Sequence, residues 1–339
     1  MRSPTPATAW SAFARTAVLT AAAILSGYLA LAVAIDPYDS GRSRLFSVGA
    51  VRPQGPRTAL AVRGRDPAFS GAILGNSHIQ LVEPARLAAA TGIPFVQLSV
   101  PATGPGEQLL ILDWFLRHHS RPAALVMAAD DFWCTDDPAL PPSKPFPFWL
   151  LDRDPTAYAL GLLRFAVAQE VVGRIGWLLR RSRPLAPADG WWNYEPDYLK
   201  LGFAGGARPA PGAGARVPDT PEPHRAGPFP AAARLAAILA RVPAETPVVM
   251  VFPPIHASAL PRPGTPRAAA EQACKAAIAA ALASHPRSAV LDERRDTTES
   301  HDDALFFDQS HYRLPVARPL ADAIAAAVNR LRARPAIPG

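Results

Sequence analysis

The chain of 339 residues contains two cysteines and three methionines. Cys134 and Cys274 stand too far apart for any zinc or iron–sulfur spacing, which removes the small metal-stapled folds. They pair in an oxidising compartment or remain two unrelated buried thiols. No internal repeat occurs, and no stripe of basic residues alternates with aromatics. The formal charge of +7 is spread along the chain, largely as arginine, so a nucleic-acid partner is not expected. No established metal or cofactor signature is present.

What the chain has in quantity is apolar residues, 49% of the total, and 39 prolines. That apolar content fills a sizeable core. The prolines cluster between apolar runs, where they stop helices and stiffen loops.

Thr16 to Ile35 carries no charge and matches the ~20 residues a helix needs to cross a bilayer. Arg2 and Arg15 precede it and Asp36 and Asp39 follow. The positive-inside tendency then keeps residues 1–15 in the cytoplasm and exports the rest. The expectation is a single-pass protein of the cell membrane whose main domain is periplasmic or otherwise extracytoplasmic. The rival is a cleaved signal peptide, since Ala32 and Ala34 form an A-x-A site. The run exceeds the usual 7–15-residue signal core, which favours an anchor.

After a linker-like stretch, 36–70, short apolar runs alternate with helical segments. Ala72–Leu74, Ile93–Val100, Ala123–Ala129, Thr246–Phe252 and Ser288–Leu291 read as five buried strands, and Leu314–Arg332 as a closing amphipathic helix. Alternation of this kind predicts an α/β fold, a three-layer α/β/α sandwich around a mainly parallel sheet. The main domain takes in 71–134 and 230–335. The rhythm breaks between Thr135 and Phe229, an insertion or cap with a helix expected over Pro155–Arg181, an aromatic cluster and a Gly/Pro-rich loop from Gly205 to Pro228.

Chemistry in such sheets gathers beyond the carboxyl ends of the strands. Ser77, Gly104, Asp130 and His256 each follow a predicted strand. Ser77 lies in Gly75-Asn76-Ser77-His78, at a strand-to-loop junction that lifts a hydroxyl above the sheet. A serine there needs a base, and Asp308-Gln309-Ser310-His311 offers one: the aspartate holds one ring nitrogen while the other faces the serine. His78 is read as structural. His256, His301, Asp302 and Asp303 admit a metal reading, set against a solvated acidic loop.

Together, the Gly-x-Ser block after the first strand and the Asp-x-x-His block before the last helix resemble those of the SGNH (GDSL-like) hydrolases. The similarity is greatest to the membrane-anchored bacterial branch tied to acylation of exported polysaccharides and cell-wall polymers. The resemblance implies Ser77 as nucleophile, His311 as base and Asp308 as its orienting carboxylate. It also implies an oxyanion hole from the backbone of Ser77 and of Gly104, with Asn76 as a further donor. The expected partners are an acylated glycan or acyl donor, the membrane, and a membrane-embedded acyltransferase. The third block of the family supplies an asparagine where this chain has Asp130-Asp131. Asp130 and His256 are then candidates for substrate contacts. Trp191 and Trp192, with Trp133 and Tyr194, form either a sugar-stacking wall or the insertion's own core.

Overall fold

The computed structural model describes residues 6–43, 45–46, 55–140, 142, 144–181, 186–203, 217–221 and 227–334. Most of the Gly/Pro-rich loop expected over 205–228 lies outside these residues.

Five strands, β1 (Gly71–Leu74), β2 (Phe95–Gln97), β3 (Ala124–Ala128), β4 (Val248–Phe252) and β5 (Ser288–Asp292), form one sheet in the order β2-β1-β3-β4-β5. Every pairing is parallel. Because side chains alternate along a strand, the sheet divides its apolar residues between two cores. Leu74, Leu125, Met127 and Met250 face one side with α4 (Pro105–His118), α10 (Pro230–Leu239) and α11 (Pro266–Ala283). Ile73, Val126, Val249 and Val251 face the other, with α3 (Pro84–Thr91) and α12 (Leu314–Arg332). This is the expected three-layer α/β/α sandwich. Chain order reverses between β1 and β3, the point at which doubly wound sheets of this order open a crevice for a ligand.

The N-terminal helix α1 spans Pro6–Ile35, starting ten residues before the charge-free run, and its apolar part covers Ala9–Ile35. By length and composition it can cross a membrane. Its last turns are not free: Ala32 and Ile35 are buried, and Tyr28 Oη donates to the Leu162 carbonyl at 2.8 Å. The turn that follows is closed by Asp36, which accepts from Ser40 N at 3.0 Å and Gly41 N at 2.8 Å.

The stretch expected as a linker contains α2 (Pro56–Arg63), whose Ala59, Leu60 and Ala61 are buried. The apolar quartet Ala59–Val62, set among arginines, is too short to announce itself by period. Trp114 Nε1 donates to Ala61 O at 3.1 Å and locks the helix to the domain.

From α5 (Asp131–Thr135), at the end of the main domain's first part, the insertion runs through α6 (Phe148–Leu151) to α7 (Pro155–Leu162) and α8 (Phe165–Leu178), where one long helix was expected, and then to α9 (Glu195–Lys200). The break follows Gly161, whose backbone presses on the Trp149 indole so closely that an added Cβ would lie 2.1 Å from it. The cysteines are joined: Cys134 on α5 and Cys274 on α11 form a disulfide between residues 140 positions apart.

Candidate active site

Ser77 is presented by a turn that only glycine can start. Gly75 leaves β1 at φ +152°, and a Cβ there would meet Ile79 Cγ2 at 2.8 Å and Ala128 Cβ at 3.0 Å. Asn76 Oδ1 then accepts from His78 N at 3.0 Å, tightening the loop. From the next strand, Gln97 Nε2 reaches the carbonyls of Ile79 (3.4 Å), Gln80 (3.3 Å) and Val82 (3.1 Å). A glutamine at the end of an otherwise apolar strand is thus a clamp on the serine's loop.

The C-terminal block forms a second compact loop. Phe307 N donates to His311 O at 2.8 Å, Phe306 pairs with Tyr312, and Arg313 N donates to Leu305 O at 2.8 Å. Inside it the Asp308 carboxylate accepts from the backbone of Ser310 at 2.8 Å and of His311 at 2.9 Å. It also stands 2.8 Å from His311 Nδ1. Burial alone would raise the Asp308 pKa, but the His311 contact and the two backbone N–H groups outweigh it and bring it down to about 2.

These loops, 234 residues apart in sequence, meet at the C-terminal rim of the sheet. Ser77 Oγ lies 2.9 Å from His311 Nε2. Tyr312 Oη donates to His78 O at 2.6 Å and ties one loop to the other. The insertion backs the imidazole with Tyr198, ring centroids 5.4 Å apart, and Tyr194. Such a chain from hydroxyl to imidazole to carboxylate can draw a proton off the serine and hold the resulting imidazolium.

Other residues singled out from the sequence have different surroundings. Asn76 spends both amide hydrogens, on Thr103 O at 3.2 Å and on the Asp130 carboxylate. The Gly104 N–H, expected to face a developing oxyanion, donates instead to Glu107 Oε2 at 3.1 Å and caps α4. Among the described residues the Ser77 N–H meets no acceptor.

Asp130, the residue standing where an asparagine donor was expected, is buried. It accepts from Asn76, from His78 Nδ1 at 3.0 Å and from Phe132 N at 3.0 Å. It therefore acts as a hub under the serine loop, and His78 is its partner. The network continues through Thr103, whose carbonyl also accepts from Gln108 Nε2 at 2.9 Å, to Trp133, whose Nε1 donates to Gln108 Oε1 at 2.9 Å. Asp131, next in sequence, pairs with Arg294 beyond β5.

His256 is likewise buried and supports the His311 loop: its N–H donates to Gln309 O at 3.0 Å, and Ser258 bridges its Nδ1 to Gln309 Nε2. Its Nε2 lies 2.9 Å from Asp303 Oδ1. His301 pairs with Asp296. Among the described residues no group of three or more His, Cys, Asp or Glu could hold a metal ion.

Of the aromatics, Trp133 and Tyr194 are core residues, Trp191 is half-buried, and Trp192 is 43% exposed. Trp192 lines a cavity of about 260 Å³ together with Arg63, Gln80, Gln97 and Ser99. Gln80 sits one turn after Ser77, and among the described residues Gln80 Oε1, Ser99 Oγ and Arg63 Nε are all buried without a partner. Sequence reasoning named only Trp192 of this cavity, because its other members carry no motif and come from separate segments, and it passed over Tyr312, whose role depends on its bond to the distant His78 O.

No known protein family and no curated protein sequence matches the chain.

Proposed function

We propose that this protein is a membrane-anchored, extracytoplasmic serine esterase or O-acyltransferase of the SGNH type, acting on acyl esters of an exported glycan. The observation that carries the reading is the 2.9 Å approach of Ser77 Oγ to His311 Nε2, with Asp308 on the other ring nitrogen. Ser77 attacks the ester carbonyl as His311 takes its proton. The tetrahedral intermediate collapses with loss of the alcohol, to which His311 returns that proton. Water or a sugar hydroxyl, deprotonated by the same imidazole, then resolves the acyl-enzyme.

The export reading is supported by the apolar α1 between an arginine-bearing tail and Asp36. The Cys134–Cys274 disulfide suits an oxidising compartment. Burial of Ala32 and Ile35 against the domain favours a retained anchor over cleavage at the A-x-A site. A glycan substrate is favoured by the Trp192 cavity, whose aromatic wall and unpartnered polar atoms suit a hydroxylated ring.

A second reading, a non-catalytic glycan-binding or assembly module of the same fold, is favoured by the engagement of Gly104 N–H by Glu107 and by the carboxylate at position 130. A fluorophosphonate probe decides between them. The first reading expects covalent labelling that Ser77→Ala abolishes. A folded wild type that neither labels nor turns over a small acetyl ester counts against the first and leaves the second standing.

A further inference from the structure

A bilayer's hydrocarbon is crossed by ~20 helical residues. Burial of Ala32 and Ile35 in the domain moves the lipid-exposed stretch N-terminal of the charge-free run Thr16–Ile35. Counted from Ala9, where the apolar part of α1 begins, that length ends near Tyr28 and leaves Arg15 in its first turns, within reach of the headgroups. Tyr28 is also where α1 meets the folded domain: its hydroxyl bonds the Leu162 carbonyl at 2.8 Å, at the corner between α7 and α8. Beyond it Ala32 and Ile35 are buried against the domain, so the helix enters the protein rather than ending in a free tether. The α7–α8 corner therefore sits where the chain leaves the hydrocarbon.

That corner exposes large apolar side chains. Leu160 is 62% exposed, Phe165 80%, Val172 70% and Leu179 58%. Phe165, Val172 and Leu179 recur every seven residues, close to two helical turns, and form one stripe along α8 and its C-cap. The opposite face, with Val167, Val171 and Trp177, is buried. Exposed Arg164 and Arg180 flank the stripe, where arginine side chains can extend toward lipid phosphates. An apolar stripe with basic ends, continuous with a membrane-length helix, is the pattern of a helix lying in the interface plane.

We propose that this face of α7 and α8 is a second membrane contact, seated at the headgroup–acyl boundary of the bilayer that α1 crosses, so that the domain is held in one orientation against the lipid. The proposal rests on α1 being a retained anchor, and its test separates the two. The full chain is reconstituted into phosphatidylcholine–phosphatidylglycerol vesicles after single-site labelling with an environment-sensitive NBD fluorophore. The sites are Phe165→Cys, Val172→Cys, Ile24→Cys in α1, and Val290→Cys on β5 as the solvent reference; the native cysteines are closed as a disulfide and do not compete.

Nitroxide-bearing lipids are expected to remove most of the emission at 24, 165 and 172 and to leave 290 unchanged. Quenching at 24 with solvent-like, unquenched emission at 165 and 172 overturns the proposal and leaves the anchor standing. Blue-shifted but unquenched emission at 165 and 172 also overturns it, since a second copy or a membrane protein then covers the face. No quenching at 24 removes the anchor and the proposal together.

Discussion

Asp308 concentrates the polar energetics of the site, because one carboxylate accepts two backbone N–H groups and the His311 ring. Its folded pKa of about 2 lies below the ordinary 3.8. The stability it contributes is therefore complete above its unfolded pKa and is lost as pH falls through the folded one. Acid titration of the wild type should show a loss of stability between about pH 4 and pH 2 that Asp308→Asn lacks, read by circular dichroism. The same variant is expected to slow labelling of Ser77 by about 10²–10⁴-fold, since the imidazole loses the group that sets its tautomer. Unchanged labelling would mean that Asp308 does not orient the serine's base.

Strand ends and loops decide whether these residues meet. Gly75 has a conformation and a closeness to Ala128 that no other residue tolerates. Gly75→Ala is expected to cost about 2–4 kcal/mol, combining backbone strain with overpacking, and to slow labelling as Ser77 is displaced; an unchanged denaturation midpoint would refute this account. Tyr312→Phe removes one hydrogen bond, to His78 O, and should cost about 1 kcal/mol in denaturant unfolding.

The strands and the closing helix were legible in the sequence because apolar runs and the 3.6-residue period are local signals. Helix α2 was not, since four apolar residues among arginines show no period. The split of α7 from α8 at Leu163–Arg164 was not either, since no proline interrupts the stretch after Pro155 and its apolar residues continue across the break.

At the scale of the whole molecule, the disulfide joins α5, where the main domain's first part ends, to α11 across 140 positions. Closing a loop of that length limits the unfolded chain, and Cys134→Ser with Cys274→Ser should lower stability by about 2–5 kcal/mol in denaturant unfolding. A midpoint that does not move on reduction would place the stabilisation elsewhere.

The sequence by itself determined the α/β alternation, the membrane-length apolar helix and the Asp308–His311 pair. Each depends on residues near one another along the chain, so spacing suffices. Only the tertiary structure decided that Ser77 faces His311 across 234 positions, that the cysteines join, and that Asn76, Gly104 and Asp130 are spent on hydrogen bonds within the scaffold. Those partnerships arise where β1, β2, β3 and the last loop come together at the C-terminal rim. A side chain's hydrogen-bond capacity is limited, and which neighbour takes it is set by that convergence.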